Sequence, residues 1–150
     1  MTEDIFHLGV KALISNSAGQ VLLLQVNPAQ LKGKNGAYWD LPGGRVQRGQ
    51  TVEETLKREV AEETGIASLG NVKHLGTVLA NIRIPIGENA DRKETVGLLL
   101  SVHTCAFLEN TQDIQISDEH LDHQWYSPAQ AADLLKTKYP QDFCALIAGL

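Results

Sequence analysis

The chain has 150 residues, 43% hydrophobic and 21% charged, with a formal net charge of −5 and a pI near 5.5. That length suits one domain over residues 1–150 with a sizeable core, and the acidic balance argues against a general nucleic-acid surface. A small phosphorylated substrate is not excluded, because a bound metal can invert the local sign of charge.

No apolar run approaches the ~18 residues of a membrane span. The N-terminus carries Glu3 and Asp4, with no signal peptide visible, so a cytoplasmic protein is expected. Cys105 and Cys144 lie far apart, without CxxC or zinc-type spacing, and read as small core hydrophobes rather than a disulfide.

In chain order, His7 to Ser15 reads as an aliphatic strand, Asn16 to Gly19 as a turn, and Gln20 to Val26 as a second strand, giving a hairpin. Asn27 to Gly36 has no periodicity and reads as a loop whose middle, Lys32 and Lys34, is positive. Those lysines serve either solubility or substrate phosphate. Trp39 is expected in the core beside Leu41, and Gly43 to Gly49 is too glycine-rich for regular structure.

A helix follows. Thr51 and Glu54 have capping-box spacing and Gly65 supplies the stop. Val52, Leu56 and Val60 recur every fourth residue and form a buried stripe. Glu59, Glu62 and Glu63 fall in one sector beside it. Unpaired acids there repel one another and lose hydration. Either they form a solvated face helped by Arg58, four residues before Glu62, or they hold a hard divalent cation.

Beyond the helix, Val72 to Ala80 reads as a strand and residues 81–93 as a long turn or hairpin end. Glu94 to Phe107 reads as a central strand with a bulge at Gly97. Residues 109–118 form a polar loop, and His120 to Tyr126 a short strand. Ser127 caps a helix with Pro128 at its first position, and a last amphipathic helix spans Gln141 to Ala148. Strands on both sides of a central helix predict an α/β protein with a mixed sheet and helices on its faces.

Gly44, Arg58, Glu59, Val60, Glu62, Glu63, Gly65 and Ile66 stand in the register of the Nudix box, and Tyr38-Trp-Asp-Leu-Pro-Gly-Gly44 is similar to its usual lead-in. One fixed position departs: Gln50 stands where the family has glutamate. The resemblance implies a Nudix-like α/β/α sandwich. It also implies a hydrolase that uses Mg²⁺ or Mn²⁺ to cleave a pyrophosphate bond in a nucleoside diphosphate linked to another group. The substrate would be a nucleoside triphosphate, ADP-ribose or a nucleotide sugar.

By the same resemblance, Glu62 and Glu63 are the principal metal ligands, and Glu59 with the Gly44 carbonyl completes the shell. Arg58 joins this catalytic group by pairing with its acids and orienting the helix. Glu119 is the candidate base from a late loop; Arg45, Lys34 and Arg83 are the candidate substrate-binding residues. His120 and His123 read as surface or substrate-adjacent histidines, because no further metal-type partner accompanies them. The expected partner is a small nucleotide, not nucleic acid or membrane, with a homodimer as the assembly to test.

Gln50 decides between two readings. An amide carries no charge and cannot act as a base, but it accepts a hydrogen bond. If that position acts through Arg58, an attenuated enzyme results. If it must supply charge, the chain becomes a nucleotide-binding module.

Overall fold

The computed structural model describes residues 2–30, 38–86, 94–108 and 113–150. Eight strands form one mixed sheet: β1 (Phe6–Ser15), β2 (Val21–Val26), β3 (Trp39–Asp40), β4 (Gly43–Arg45), β5 (Leu69–Leu79), β6 (Ile84–Pro85), β7 (Thr95–Phe107) and β8 (His120–Tyr126). Three α-helices lie among the described residues: α1 (Val52–Thr64), α2 (Pro128–Leu135) and α3 (Gln141–Ala148). The sheet runs β3-β2-β1-β7-β5, with β4 on β1, β6 on β7 and β8 on β2.

Period-two alternation puts a different core on each face. Val10, Ala12 and Ile14 of β1, with Leu22 and Leu24 of β2, pack with Leu56 and Val60 of α1. Leu13, Leu23, Leu98, Leu100 and Val102 face the other way and pack with α2 and α3 through Ala131, Leu135, Phe143 and Ile147. The result is the expected α/β/α sandwich. Cys105 and Cys144 are both free and buried.

The Asn16–Gly19 turn is present, but only Ser15 and Val21 pair across it. Strand β2 then diverges to pair with β8 and β3. Strand β1 pairs in parallel with β7 from Phe6↔Gly97 to Ser15↔Ala106, and antiparallel with β4 along Gly9–Lys11. This splay is what the hairpin expectation missed. Two glycines expected to be loop, Gly43 and Gly44, belong to β4 and lie against β1 there.

Other departures are local. Gly97 sits in register, and the ladder irregularities fall in β5, between Gly70 and Lys73 and between His74 and Gly76. The glycine at 97 instead makes room for a ring: a Cβ there would come within 2.5 Å of Phe6. Strand β5 begins at Leu69, earlier than read, and Ile84–Pro85 pairs with β7 inside the expected turn. Lys32, Lys34 and the end of the 81–93 segment lie outside the described residues.

The α1 caps follow their sequence signals. Thr51 Oγ1 accepts from the Glu54 N–H, Glu54 Oε2 accepts from the Thr51 N–H, and Gly65 closes the helix at φ 77°. Removing the cap by Thr51→Ala should cost about 1 kcal/mol. Urea unfolding would read this as a lower midpoint at an unchanged slope.

Candidate active site

Residues of β1, β4, β7 and β8 line a cavity of about 370 Å³. Its walls bring together residues far apart in sequence: Gly44 and Arg45 from β4, Glu63 from α1, Lys11 from β1, Glu119 and His120 at the start of β8, and Lys138 after α2.

Strand β4 packs closely between β1 and α1 because its first two residues are glycines. Gly43 adopts φ 151°, and a Cβ there would lie 2.0 Å from the Val10 carbonyl oxygen. At Gly44 a Cβ would lie 2.4 Å from the Glu59 carboxyl carbon. Gly43 therefore lets β4 close on β1 and Gly44 lets the Glu59 carboxylate approach the backbone, while the Gly43 N–H donates to Glu63 Oε2 at 2.8 Å.

The three helix acids occupy different environments. Glu63 is 5% exposed, and burial raises its carboxyl to about 8, against the opposing pull of Lys11 and the Gly43 N–H. Glu59 is half-buried, and burial raises it too, reinforced by Glu62 and Glu119 and opposed by Arg58. Glu62 is exposed. Arg58 Nη1 lies 3.2 Å from Glu59 and 3.5 Å from Glu62, tying the two together. Its Nη2 donates to Gln50 Oε1 at 3.0 Å. The amide at position 50 thus keeps the hydrogen bond to Arg58, without the charge.

Across the cavity, carboxylate oxygens of Glu63 and Glu119 and a ring nitrogen of His120 lie within 4.8 Å of one another. The Glu119 backbone is pinned: its carbonyl accepts from the Asn27 N–H at 2.9 Å, and the His120 N–H reaches the Ser117 carbonyl at 3.2 Å. His120 Nδ1 is buried and finds no hydrogen-bond partner among the described residues. Burial, aided by Lys11 and opposed by Asp40, lowers its ring to about 4, so the imidazole is neutral near pH 7. A buried acid, a second carboxylate and a neutral imidazole with an orphaned nitrogen suit a divalent cation.

Arg45 lines the cavity and reaches His7 Nδ1 at 3.3 Å. Arg83 also lines it, but its guanidinium is engaged by both Asp4 oxygens, at 2.6 and 3.0 Å, and by Thr95. Lys34 lies outside the described residues.

The sequence reading missed three cavity residues: Lys11, Asp40 and Lys138. Asp40 is buried, and although burial alone would raise its carboxyl, Lys11 and Lys138 hold it well below the usual range. For two of them a signal existed. Lys11 interrupts a buried aliphatic strand and Asp40 sits between Trp39 and Leu41, where charge needs a partner.

A model of the NUDIX domain matches residues 5–146. The chain belongs to the Nudix family. Among its Nudix relatives is the nucleoside triphosphatase NudI of Salmonella agona (strain SL483), 32% identical over 120 residues that cover 80% of this chain and 81% of the relative. NudI of Salmonella typhimurium (strain LT2) is 31% identical over 104 residues, covering 69% and 72%.

Among solved structures, the MutT protein of Methanosarcina mazei Go1 superposes with a TM-score of 0.67 at 27% identity, covering 98% of this chain and 96% of that one. The E. coli dihydroneopterin triphosphate pyrophosphohydrolase shares the fold, with a TM-score of 0.64 at 22% identity over 87% and 88% of the two chains. The chain is therefore a Nudix-type pyrophosphohydrolase, an enzyme acting on acid anhydrides. No helix among the described residues is long and apolar enough to cross a membrane.

Proposed function

We propose that this enzyme hydrolyses nucleoside triphosphates with Mg²⁺ or Mn²⁺, as a single cytoplasmic domain over residues 1–150 acting on small nucleotides and not on nucleic acid. The observation that carries the reading is the meeting of Glu63, Glu119 and His120 in one cavity, next to Glu59 and the Gly44 backbone. The triphosphate preference, over ADP-ribose or a nucleotide sugar, draws on relatives named nucleoside triphosphatase.

In this reading Glu63 and Glu59 hold the ion with the Gly44 carbonyl, and Glu62 joins from the exposed side of α1. When bound, the cation neutralises charge on the phosphate oxygens, the main requirement of phosphoanhydride cleavage. Arg58 keeps Glu59 and Glu62 oriented. Glu119 takes the proton from the attacking water. Arg45 stands at the cavity wall, where it can meet a phosphate, and Lys34 and Arg83 are assigned the same partner. The Arg83 contact requires release from Asp4.

The reading is tested with a panel of triphosphates, ADP-ribose and nucleotide sugars at saturating Mg²⁺ or Mn²⁺, with products separated by anion exchange. Release of a nucleotide and pyrophosphate or phosphate from triphosphates is the expected result. Turnover confined to ADP-ribose or sugar nucleotides would replace the substrate class. Size-exclusion chromatography with light scattering tests the homodimer.

Gln50 adds a prediction. Gln50→Glu keeps an acceptor for Arg58 while adding negative charge one residue before the α1 N-cap, where the helix dipole favours it by about 0.3–1 kcal/mol. Tighter Mn²⁺ binding by calorimetry and a higher kcat/KM are expected. Unchanged values in both would mean that charge at position 50 has no bearing on the site.

A further inference from the structure

The cavity has a second polar cluster that the hydrolytic reading leaves without a task. Asp40 Oδ2 accepts from Lys11 at 3.0 Å and Lys138 at 2.6 Å; its Oδ1 accepts from the Leu41 N–H and the Tyr139 hydroxyl, both at 2.7 Å. A carboxylate has about four lone-pair sites, so Asp40 is saturated. It holds the lysines in place and has nothing left to offer a ligand.

The lysines do. An ammonium has three N–H donors. Lys11 spends a second on the Leu41 carbonyl at 3.1 Å. Lys138 Nζ makes one hydrogen bond among the described residues, although its side chain is only 7% exposed. Its ammonium otherwise lies 5.9 Å from the centre of the Tyr38 ring. Lys138 thus has two buried donors at the cavity wall without an acceptor among the described residues, where each carries a desolvation cost that a ligand acceptor would relieve.

The surroundings decide what kind of acceptor fits. Asp40 offsets one of the two ammoniums, and Glu63, which interacts with both lysines, is already assigned to the cation. A buried ammonium donor beside apolar walls suits a neutral, electron-rich group. The same cavity presents Ile82, Ile84, Leu98 and Leu100, apolar surfaces that fit the faces of a nucleobase.

We propose that Lys138 is a specificity-determining residue that donates to the keto oxygen of the base, so that 6-oxopurine and 4-oxopyrimidine nucleotides are preferred over their 6-amino and 4-amino counterparts. The inference rests on the nucleoside triphosphate reading above. An exocyclic amino group would bring donor against donor, with Asp40 too saturated to compensate.

The test compares kcat/KM for dGTP, dTTP and dITP with that for dATP, dCTP and 2′-deoxynebularine triphosphate, which differs from dITP by lacking O6 and the N1 proton. The wild type should favour the keto substrates by about tenfold or more, the scale of a hydrogen bond to a charged donor. Lys138→Met should erase the preference by losing activity on the keto substrates alone. An equal loss on every base marks Lys138 as a phosphate contact or a packing residue and overturns the proposal. So does a wild type indifferent to O6.

If Lys138→Met fails to fold by circular dichroism, the wild-type comparison of dITP with 2′-deoxynebularine triphosphate decides alone. If the wild type turns over no nucleotide, the hydrolytic reading falls. Base selection is then read by calorimetry with dIMP and 2′-deoxynebularine monophosphate: tighter dIMP binding sustains the inference, and equal binding overturns it.

Discussion

Glu63→Gln is expected to lower kcat/KM by at least about 10²-fold, the scale for removing one preorganised charged group from a reaction centre. It should also weaken Mn²⁺ binding while leaving the fold intact. Glutamine can still accept from the Gly43 N–H, so the change isolates charge from architecture. The metal-free protein supplies a readout independent of turnover. Burial lifts the Glu63 carboxyl from 4.5 to about 8. Between those values the folded state retains a proton that the unfolded state has released. Stability from this group is therefore full below 4.5 and is lost as pH rises through 8.

His120 acts with the opposite sign. Its pKa is lowered from 6.5 to about 4, so its contribution is present above 6.5 and lost as pH falls through 4. Together the two groups should place maximal stability of the metal-free protein between about pH 5 and 6. Melting temperatures of wild type should fall from pH 6.5 to pH 8 and recover with Mn²⁺ at pH 8. Glu63→Gln should flatten the slope above pH 6.5 and lose the metal response. Equal slopes and equal metal responses in the two proteins would remove Glu63 from the site.

Local signals explain what was legible beforehand. The α1 caps, the Ser127-Pro128 start of α2 and the bounds of α3 depend on neighbours in sequence, and each appears where its residues put it. Periodicity also indicated which face α1 buries. What it could not show was long-range pairing. Beyond Ser15↔Val21, strand β1 pairs with β7 and β4 rather than with its sequence neighbour β2, and residues of these three strands line the cavity.

The same limit applies to the acids. Helical spacing put Glu59, Glu62 and Glu63 in one sector, yet their burial differs because β4 covers Glu63 and leaves Glu62 exposed. Lys138 is distant from Asp40 in sequence and reaches it only because the segment after α2 folds back over the sheet. Nothing near position 138 announces a buried ammonium.

Glu119→Gln should reduce kcat by about 10²–10⁴-fold with little change in KM, as for removal of a general base. The expectation comes from how the residue is held. Its backbone is fixed by Asn27, while the side chain stays exposed and has a carboxylate oxygen within 4.8 Å of a Glu63 oxygen. An exposed carboxylate beside a buried acid has access to water, whereas Glu63 and Glu59 are penalised for carrying charge until a cation offsets it. In the proposed mechanism, proton acceptance therefore falls to Glu119 and cation binding to the helix pair.

Glutamine preserves the shape of Glu119 and one acceptor oxygen but cannot take a proton. Glu119→Asp keeps the chemistry at shorter reach and should recover part of the loss. If both variants lose activity equally and both raise KM, Glu119 positions the substrate. If neither changes a kinetic constant, it is a solvated acid at the cavity mouth. Only a kcat loss that aspartate partly restores identifies the oxygen of Glu119 as the group that removes the proton from water.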